Sequence, residues 1–338
     1  MAKTICMFNH KGGVGKTTNS YSLAWMLAEK GKSVLLVDAD SQCNLTNIFI
    51  GEDYFEQLYI DHPDRNIKSG LSPAFAAKPV MIEAVEAFQA PRRDHLFLLP
   101  GSFELSEYEV SLGVSFTLTE TIITLKNLPG SFAFLIAETA KKYSAEYVII
   151  DMNPSLSAIN QALLMSSDFF IVPTVPDNFS NMAIRSLAKV LPKWEKWAVR
   201  ARSVFSDSYY PLPQGTPRFL GTIIQGFNIR KGKPTQANRE MIDQLCGTVR
   251  ATLIDALREP GMLLADDLYT NDYCLAQIPD FQSLNAAYQA SSVPVFALTD
   301  KELRYVGTVL DQYKETRQRF ENVYSDFADK IIRTTSNA

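Results

Sequence analysis

A short run of glycines and lysines near the N-terminus has the residue types that hold phosphate groups. It reads His10-Lys-Gly-Gly-Val-Gly-Lys-Thr-Thr18 and lies between an apolar run at residues 5–8 and a helical pattern at residues 17–30. Glycine lets the backbone turn so that successive N–H groups and the start of the helix point at phosphate oxygens. The run therefore predicts a nucleotide-phosphate loop.

Two lysines and a threonine give this loop its predicted chemistry. Lys16 is expected to reach the β and γ phosphates, and the Thr17 hydroxyl is expected to bind Mg²⁺. A strict search for G-x-x-x-x-G-K-[ST] fails, because His10 occupies the first glycine position and a second lysine, Lys11, follows it. The residues predicted to hold the phosphates are Lys11, Gly12, Gly13, Val14, Gly15, Lys16, Thr17 and Thr18.

Aspartates follow two further apolar runs. Asp38 and Asp40 come after residues 33–37, and Asp151 comes after residues 147–150. In-line phosphoryl transfer needs a group that orients the attacking water, which a carboxylate such as that of Asp40 can do, whereas Asp38 is expected to support its loop. Mg²⁺ keeps several waters and prefers one or two carboxylates beside the phosphates, so Asp151, and also Asp40, are predicted to hold it through water.

These candidate residues need a sheet that brings strand ends together. Continuous apolar runs separated by helical patterns predict a mostly parallel α/β sheet of about seven strands, with helices on both faces. Ligands of such sheets bind at the carboxyl ends of the strands, so the turns that follow the runs should converge. The predicted strands are residues 5–8, 33–37, 96–99, 147–150, 169–172, 220–224 and 275–278.

The chain divides into a large body and a C-terminal helix. Residues 1–298 are predicted to form one domain, with insertions near residues 51–90 and 203–217, and residues 299–338 to form a long amphipathic helix packed on the body or on a partner. Residues 311–333 contain five basic and five acidic residues. Helices that lie on membranes favour a basic polar face, so this balance argues against membrane attachment.

Composition narrows the class of protein. The 338 residues are 46% hydrophobic and carry a net charge of −4, so nucleic-acid binding would need a local basic patch. The four cysteines form no CxxC pair, which argues against a zinc site or a disulfide framework. With no run of 18 or more apolar residues and no signal segment at the start, the sequence predicts a cytoplasmic protein.

The motifs together resemble one family. Lys11-Gly-Gly-Val-Gly-Lys-Thr-Thr18 resembles the deviant Walker A motif of the ParA/MinD P-loop ATPases, and the preceding Asn9-His10 resembles the ParA side. Residues 37–46 resemble the family's switch I pattern DxDPQGN, from which Ser41 and Cys43 depart. Residues 147–155 resemble its Walker B and DxPP segment, from which Asn153 departs.

The resemblance implies roles that spacing alone does not give. It implies that ATP and Mg²⁺ are the cofactors, that the chain forms a homodimer with ATP, and that Lys11 reaches across the dimer to the other subunit's phosphates. The catalytic residues would then be Lys11, Lys16 and Asp40. Gln225, Pro279 and Asp280 fall where the family contacts adenine.

It also implies a biological role. ParA proteins bind nonspecific DNA as ATP dimers, and a ParB-like partner stimulates hydrolysis, so that a DNA or protein cargo is segregated or positioned. The chain would then be associated with the nucleoid when ATP is bound. Two basic groups are candidates for the DNA contact. The preferred group follows the predicted strand at residues 220–224 and consists of Arg230, Lys231, Lys233 and Arg239. The other consists of Lys193, Lys196, Arg200 and Arg202.

Other functions fit parts of the same pattern. A MinD-like membrane-cycling positioning ATPase is the nearest alternative, although the charge balance of the C-terminal helix argues against it. An interaction module that binds nucleotide without turnover is a second, and the presence of Lys16, Asp40 and Asp151 argues against that. The sequence identifies neither the cargo nor the activating partner.

Overall fold

Apolar strands buried on both faces form the centre of the molecule. The computed structural model describes residues 2–117, 123–230, 232–269, 271–282, 284–303 and 305–338. Within them lies an eight-stranded sheet of order β10-β7-β6-β1-β5-β2-β4-β3, and β8 and β9 form a separate hairpin. The strands are β1 (Lys3–Met7), β2 (Val34–Ala39), β3 (Phe88–Gln89), β4 (Leu96–Leu99), β5 (Tyr147–Met152), β6 (Phe169–Thr174), β7 (Arg218–Phe227), β8 (Ile229–Arg230), β9 (Lys233–Pro234) and β10 (Cys274–Pro279).

The seven strands predicted from the apolar runs are all present and parallel to one another. The additional strand, β3, is antiparallel to β4 at one edge of the sheet. Successive side chains of a strand enter two separate apolar clusters: Ile5 and Met7 contribute to one, and Cys6 contributes to the other. This alternation places a hydrophobic core on each face of the sheet, as the predicted α/β architecture requires.

Helices cover both faces. A π-helical segment, Val249–Ile254, joins two of them, α9 and α10. The helices are α1 (Lys16–Glu29), α2 (Asn44–Ile50), α3 (Glu52–Asp61), α4 (Ile67–Phe75), α5 (Tyr108–Thr117), α6 (Ser131–Lys142), α7 (Ala158–Met165), α8 (Asn178–Val204), α9 (Gln236–Thr248), α10 (Asp255–Arg258), α11 (Leu284–Ser291), α12 (Asp300–Leu303) and α13 (Gly307–Asn337).

The two predicted insertions contain regular structure. Residues 51–90 hold α3, α4 and the short edge strand β3, although the sequence pattern there is irregular. Helix α8 continues to Val204, so the second predicted insertion begins inside a helix.

The C-terminal helix begins later than the sequence pattern predicts. Helix α12 ends at Leu303, Val306 is extended, and α13 starts at Gly307, whose φ of +62° lies in the left-handed region. Glycine adopts this conformation without strain, which explains the break at that position. The C-terminal half of α13 then packs on the body beside α1 and β10, where it buries Phe327 and Ile331.

Candidate functional site

The glycine-rich run forms the loop between β1 and α1. Gly13 and Gly15 have φ values of +70° and +71°, and α1 begins immediately afterwards at Lys16. No side chain of the described residues caps this helix start, so its N–H groups stay available to an anion. The loop therefore has the backbone geometry predicted for phosphate binding.

Lys16 projects back across the loop. Its Nζ donates to the backbone oxygen of Lys11 at 3.3 Å, and the residue is buried. Burial lowers the pKa of Lys16, while the nearby carboxylates of Asp151 and Asp40 act in the opposite direction. The three predicted residues thus lie close enough to influence one another's charge.

The Asp151 carboxylate is only partly hydrogen-bonded within the described residues. Its Oδ1 accepts from the Ser20 hydroxyl at 3.3 Å, and Oδ2 is buried with no hydrogen-bond partner among the described residues. Burial, with the charge of Asp38, raises the pKa of Asp151 to about 7, although the Thr17 hydroxyl also hydrogen-bonds this carboxyl. A free carboxylate oxygen beside a threonine hydroxyl fits a magnesium site.

The donor set suits Mg²⁺ held mainly by water and phosphate. Across the described part of the chain, no group of three or more His, Cys, Asp or Glu side chains is placed to hold a metal ion by itself. Mg²⁺ prefers this situation, because it retains waters and uses one or two carboxylates together with phosphate oxygens. Thr17 and Asp151 are the residues that would hold it here.

Asp38 supports the loop that carries Asp40. The Asp38 carboxylate accepts from the Thr46 N–H and hydroxyl, at 2.8 and 2.7 Å, and from the Asp40 N–H at 3.2 Å. Burial nevertheless raises the pKa of Asp38 to about 6. The carboxylate of Asp40 accepts from the Gln42 N–H at 3.0 Å. Asp40 is therefore held near Lys16 by a turn whose base is Asp38.

Cys43 explains one departure from the switch I pattern. Its φ of +54° is left-handed, a conformation that favours glycine, and the family pattern has glycine there. The residue is buried, and α2 starts immediately after it. The loop thus keeps the turn that glycine would make, at the cost of strain at Cys43.

Lys11 is bound within its own chain. Its Nζ forms an ion pair with Asp177 at 2.5 Å and donates to the Ser180 hydroxyl at 3.1 Å. Asp177 also caps α8, because its carboxylate accepts from the Ser180 N–H at 2.7 Å. Although burial opposes it, the bonds from Lys11 and Ser180 hold the pKa of Asp177 below its usual value.

Sequence reasoning did not identify Asp177 and Ser180. The spacing Asp-x-x-Ser before a helical pattern indicates an N-cap, and that was the only signal available. The contact with Lys11 depends on the chain returning to the loop 166 residues later.

The predicted adenine residues lie at two adjacent strand ends. Gln225 contacts the phosphate loop so closely that a Cβ on Gly15 would lie 1.8 Å from its Nε2. Its Oε1 also accepts from Asn19 of α1. Pro279 ends β10 beside the end of β7, and the N–H of Asp280 donates to Phe227 at 3.0 Å.

Basic side chains form two exposed surfaces. Arg230, Lys233 and Arg239, on and after the β8–β9 hairpin, are exposed, and Lys231 lies outside the described residues. The second surface, here called the α8 stripe, consists of Arg185, Lys189, Lys193, Lys196 and Arg200.

The α8 stripe extends further along its helix than the sequence predicted. Its residues recur every three or four positions, so they share one face of α8 over roughly 22 Å. All are exposed, and no ion pair within the described residues involves them. Arg202, predicted with this group, is instead buried in an ion pair with Glu195 at 2.9 Å.

Exposed apolar side chains lie at the start of α8 and around the start of α7. Phe179 and Met182 lie on the first turns of α8, next to the residues that hold Lys11, and are 70% and 66% exposed. Leu156 precedes α7, and Val110 follows Glu109, whose carboxylate accepts from the first N–H groups of α7. Large apolar side chains in water next to a site are typical of an interface.

Comparisons with known proteins identify relatives of this chain. The AAA_31 family model, described as an AAA domain, matches residues 2–200. An uncharacterized protein of Methanocaldococcus jannaschii is 34% identical over 176 residues, which are 52% of this chain and 60% of that protein. The sporulation initiation inhibitor protein Soj of Bacillus subtilis is 29% identical over 195 residues, 56% of this chain and 64% of Soj. The chain thus spans less than two thirds of these relatives.

Solved structures share the fold over nearly the whole chain. A plasmid partition protein of Borrelia burgdorferi bound to AMPPNP has a TM-score of 0.56 at 20% identity and covers 98% of this chain and 99% of its own. The pNOB8 ParA protein bound to nonspecific DNA has the same TM-score and identity, and covers 100% of this chain and 99% of its own. Among the described residues, no helix is long and apolar enough to cross a membrane.

Proposed function

Because this chain belongs to the ParA/MinD family of P-loop ATPases, we propose that it hydrolyses ATP with Mg²⁺, dimerises when ATP is bound and binds nonspecific DNA as that dimer. One observation carries the proposal: the deviant phosphate loop, with its two lysines, lies in one site with Asp40 and Asp151. Proteins of similar fold include one bound to AMPPNP and one bound to nonspecific DNA.

The chain's own residues have two roles in the proposed reaction: some bind ATP, and Asp40 orients the attacking water. The loop N–H groups and Lys16 bind the phosphates, and Asp40 orients a water in line with the γ phosphate. Thr17, and Asp151 through water, would hold Mg²⁺, which would supply positive charge beside the phosphate oxygens. Gln225, Pro279 and Asp280 contact the base.

Dimerisation would use the exposed face around the loop. Lys11 leaves Asp177 and binds the phosphates of the other subunit, while Phe179, Met182 and Leu156 become buried against the partner copy. Loss of the γ phosphate removes the group that both loops hold, so hydrolysis favours dissociation.

DNA binding would use surfaces that the dimer doubles. The α8 stripe offers five unpaired cations with no exposed acidic residue on the same helix, since its only carboxylate, Glu195, is buried. Phosphate contacts contribute cumulatively to affinity, so two copies of the stripe favour retention on DNA. Arg230, Lys231, Lys233 and Arg239 are a second proposed contact. A ParB-like partner would stimulate hydrolysis and release, and the protein would then segregate or position a cargo from the nucleoid.

The first experiment measures oligomer mass and binding to a nonspecific DNA duplex in parallel, with Mg²⁺ and either ATP or ADP. A doubled mass together with DNA retention, both in ATP only, is expected. A doubled mass without DNA binding, followed by binding to anionic liposomes, would favour the MinD-like alternative. No doubling and no turnover would leave a nucleotide-binding interaction module.

Two variants test the assigned roles in that assay. Lys11→Ala should bind ATP and stay monomeric, and the matched control Lys301→Ala, which removes an exposed lysine of α12, should dimerise normally. Asp40→Ala should bind ATP and persist as a dimer with little hydrolysis. Full dimerisation of Lys11→Ala would refute the role across the interface, and unchanged turnover of Asp40→Ala would remove Asp40 from the mechanism.

A further inference from the structure

A buried tyrosine on α11 has a hydroxyl without a hydrogen-bond partner. Tyr288 is 3% exposed, and its hydroxyl makes no hydrogen bond to any of the described residues. Leaving a buried hydroxyl unpaired costs free energy, and a phenylalanine of the same shape would avoid that cost. The hydroxyl therefore needs a partner, which is either a buried water or a side chain that moves to it.

Packing of α11 on α1 brings this hydroxyl to the phosphate loop. The Tyr21 hydroxyl on α1 donates to the backbone oxygen of Ser292 at 2.7 Å, just beyond the end of α11. Tyr288 lies one turn before Ser292, and Thr18 lies one turn before Tyr21. Burial raises the pKa of Tyr288, and the Thr18 hydroxyl lies close enough to oppose that effect. Because Thr18 is the last residue of the predicted phosphate loop, Tyr288 lies directly behind that loop.

Aromatic contacts hold the tyrosine ring in place. Its centroid lies 5.9 Å from that of Phe281 in an edge-to-face arrangement, and Phe281 in turn lies 4.8 Å from Phe320 of α13. A packed and buried ring has little freedom to turn its hydroxyl to another partner. Thr18 is only partly buried, and a threonine in a helix has two accessible χ1 rotamers. A rotation of Thr18 is therefore the movement that can join the two hydroxyls.

The hydrogen-bonding capacity of the two hydroxyls fits a phosphate ligand. A threonine hydroxyl has one proton to donate and two lone pairs that accept. Phosphate oxygens accept, so a Thr18 hydroxyl that binds phosphate uses its proton there and keeps its lone pairs for a donor. The Tyr288 O–H is such a donor, and hydrogen bonds that follow one another in a chain strengthen each other.

We propose that Tyr288 is a positioning residue for the nucleotide: its hydroxyl donates to the Thr18 hydroxyl and directs the Thr18 proton to a phosphate oxygen. This role rests on the proposed function, because it needs a nucleotide in the loop. Tyr288 does not touch the nucleotide and acts through Thr18. The competing arrangement is a buried water shared by Tyr288 and Ser22, whose hydroxyl oxygen also has no partner in the described chain.

The first test is Tyr288→Phe in the full chain, which keeps the ring and removes the hydroxyl. It should weaken the binding of ATP and of ADP about three- to tenfold in a fluorescence titration with Mg²⁺. The denaturant midpoint without nucleotide should stay constant or rise, because an unpaired hydroxyl is removed. A hydroxyl bonded to a buried water predicts the reverse, a lower midpoint with unchanged affinity, and that result would overturn the role of Tyr288.

Tyr21→Phe is the matched control at the same interface. Tyr21 is also buried, but its hydroxyl already has a partner in the Ser292 oxygen. Its loss should lower the denaturant midpoint and change nucleotide affinity less than about twofold. Equal loss of affinity in Tyr21→Phe and Tyr288→Phe would show a general effect of the interface and overturn the specific role of Tyr288.

A double-mutant cycle with Thr18→Val tests whether the two hydroxyls act together. If Tyr288 acts through Thr18, Thr18→Val/Tyr288→Phe should bind ATP no more weakly than Thr18→Val alone. Losses of affinity that multiply in the double variant would overturn the route through Thr18. If the unmodified chain binds no nucleotide, the proposed function fails and the role of Tyr288 fails with it. If it binds nucleotide and Tyr288→Phe binds equally well, the role of Tyr288 alone fails.

Discussion

At the scale of single residues, Asp177 gives Lys11 a partner inside its own chain. The proposed dimer needs the same lysine at the phosphates of the other subunit, so ATP-driven association must first break this ion pair. The pair is partly exposed, with 19% of the Lys11 side chain and 40% of the Asp177 side chain open to water. Such pairs contribute little, on the order of 0.2–1 kcal/mol. The contact therefore biases association without preventing it.

Asp177→Asn should make dimerisation easier. Asparagine keeps the capping oxygen for the Ser180 N–H and removes the charge that holds Lys11, so half-maximal dimerisation should need about two- to fivefold less protein. Mass measured against protein concentration at saturating Mg²⁺ and ATP checks this. Asp267→Asn, an exposed site without an ion pair in the described chain, is the control. Weaker dimerisation of Asp177→Asn would show that the carboxylate serves the dimer instead.

Asp151 should make the nucleotide-free chain less stable as pH rises. Its pKa is raised, so the folded state holds a proton that the unfolded chain releases, and stability falls as pH increases from about 4 to about 7. Asp151→Asn removes this titration. Its stability advantage over the unmodified chain should grow by about 1–3 kcal/mol between pH 5 and pH 8.

Denaturant unfolding without Mg²⁺ and nucleotide, at both pH values, measures that advantage. Asp267→Asn should show none at either pH. A constant difference between Asp151→Asn and the unmodified chain would mean that Asp151 is ionised across this range. The same variant should also lose its dependence on Mg²⁺ for tight ATP binding, because the unpaired oxygen is gone.

Sequence reasoning identified the residues that directly follow predicted strands. Asp38, Asp40 and Asp151 follow apolar strands, and strand ends of a parallel sheet meet, so their proximity was predictable. Asp177 escaped prediction because its spacing from Ser180 indicates only an N-cap, which does not specify a contact with Lys11. Cys43 was noticed as a departure, but its left-handed backbone needed the structure.

At the scale of elements, the C-terminal helix reaches the phosphate loop. The Tyr324 hydroxyl on α13 donates to Asn19 Oδ1 at 3.0 Å, and the Asn19 amide donates to the Gly15 oxygen at 2.9 Å and to Gln225. The sequence predicted that this helix packs on the body or a partner. Which side chains it brings to the site depends on packing that periodicity does not specify.

Tyr324→Phe should weaken nucleotide binding by a few-fold. The ring still fills its buried position, but Asn19 Oδ1 loses its donor. This unsatisfied oxygen should lower the free energy of unfolding by about 1–3 kcal/mol. ATP affinity by fluorescence titration and denaturant unfolding are the two measurements. Tyr54→Phe, at a side chain that is 69% exposed, is the control. If affinity stays constant while stability drops, the contact is structural only.

Some strands and helix ends could be predicted from the sequence, and others could not. Continuous apolar runs predicted seven strands because burial on both faces excludes polar residues. The two-residue strand β3 is too short to show a pattern, and the break before α13 depends on the backbone of one glycine. Long buried elements can therefore be predicted from this sequence, and short edge elements cannot.

At the scale of the whole molecule, one helix joins the nucleotide site to the proposed DNA surface. The first turn of α8 holds Lys11 through Asp177 and Ser180, and the α8 stripe follows on the same helix. Sequence reasoning missed Arg185 and Lys189, although their spacing from Lys193 and the scarcity of acidic residues in α8 were visible.

Reversing two charges of the α8 stripe should weaken binding to all DNA sequences equally. Lys189→Glu/Lys193→Glu should lower affinity in ATP and reduce the slope of log affinity against log salt by about 2 per subunit. Arg230→Glu/Lys233→Glu tests the hairpin surface in the same titration. Lys141→Glu/Lys301→Glu, at two exposed lysines elsewhere, is the charge-matched control. An unchanged slope for the α8 pair would exclude the stripe as the DNA surface.

Because α8 is long, a small tilt at one end produces a larger displacement at the other. Its 27 residues extend for about 40 Å, with the partner of Lys11 at one end. If that end tilts by about 5° when Lys11 is released, the far end swings by about 3.5 Å, close to the rise along the DNA axis between successive phosphates of one strand. Arg200 would then move by about 3 Å and Arg185 by about 1 Å. Nucleotide state would thus set the alignment of the stripe with the DNA backbone as well as the number of stripes.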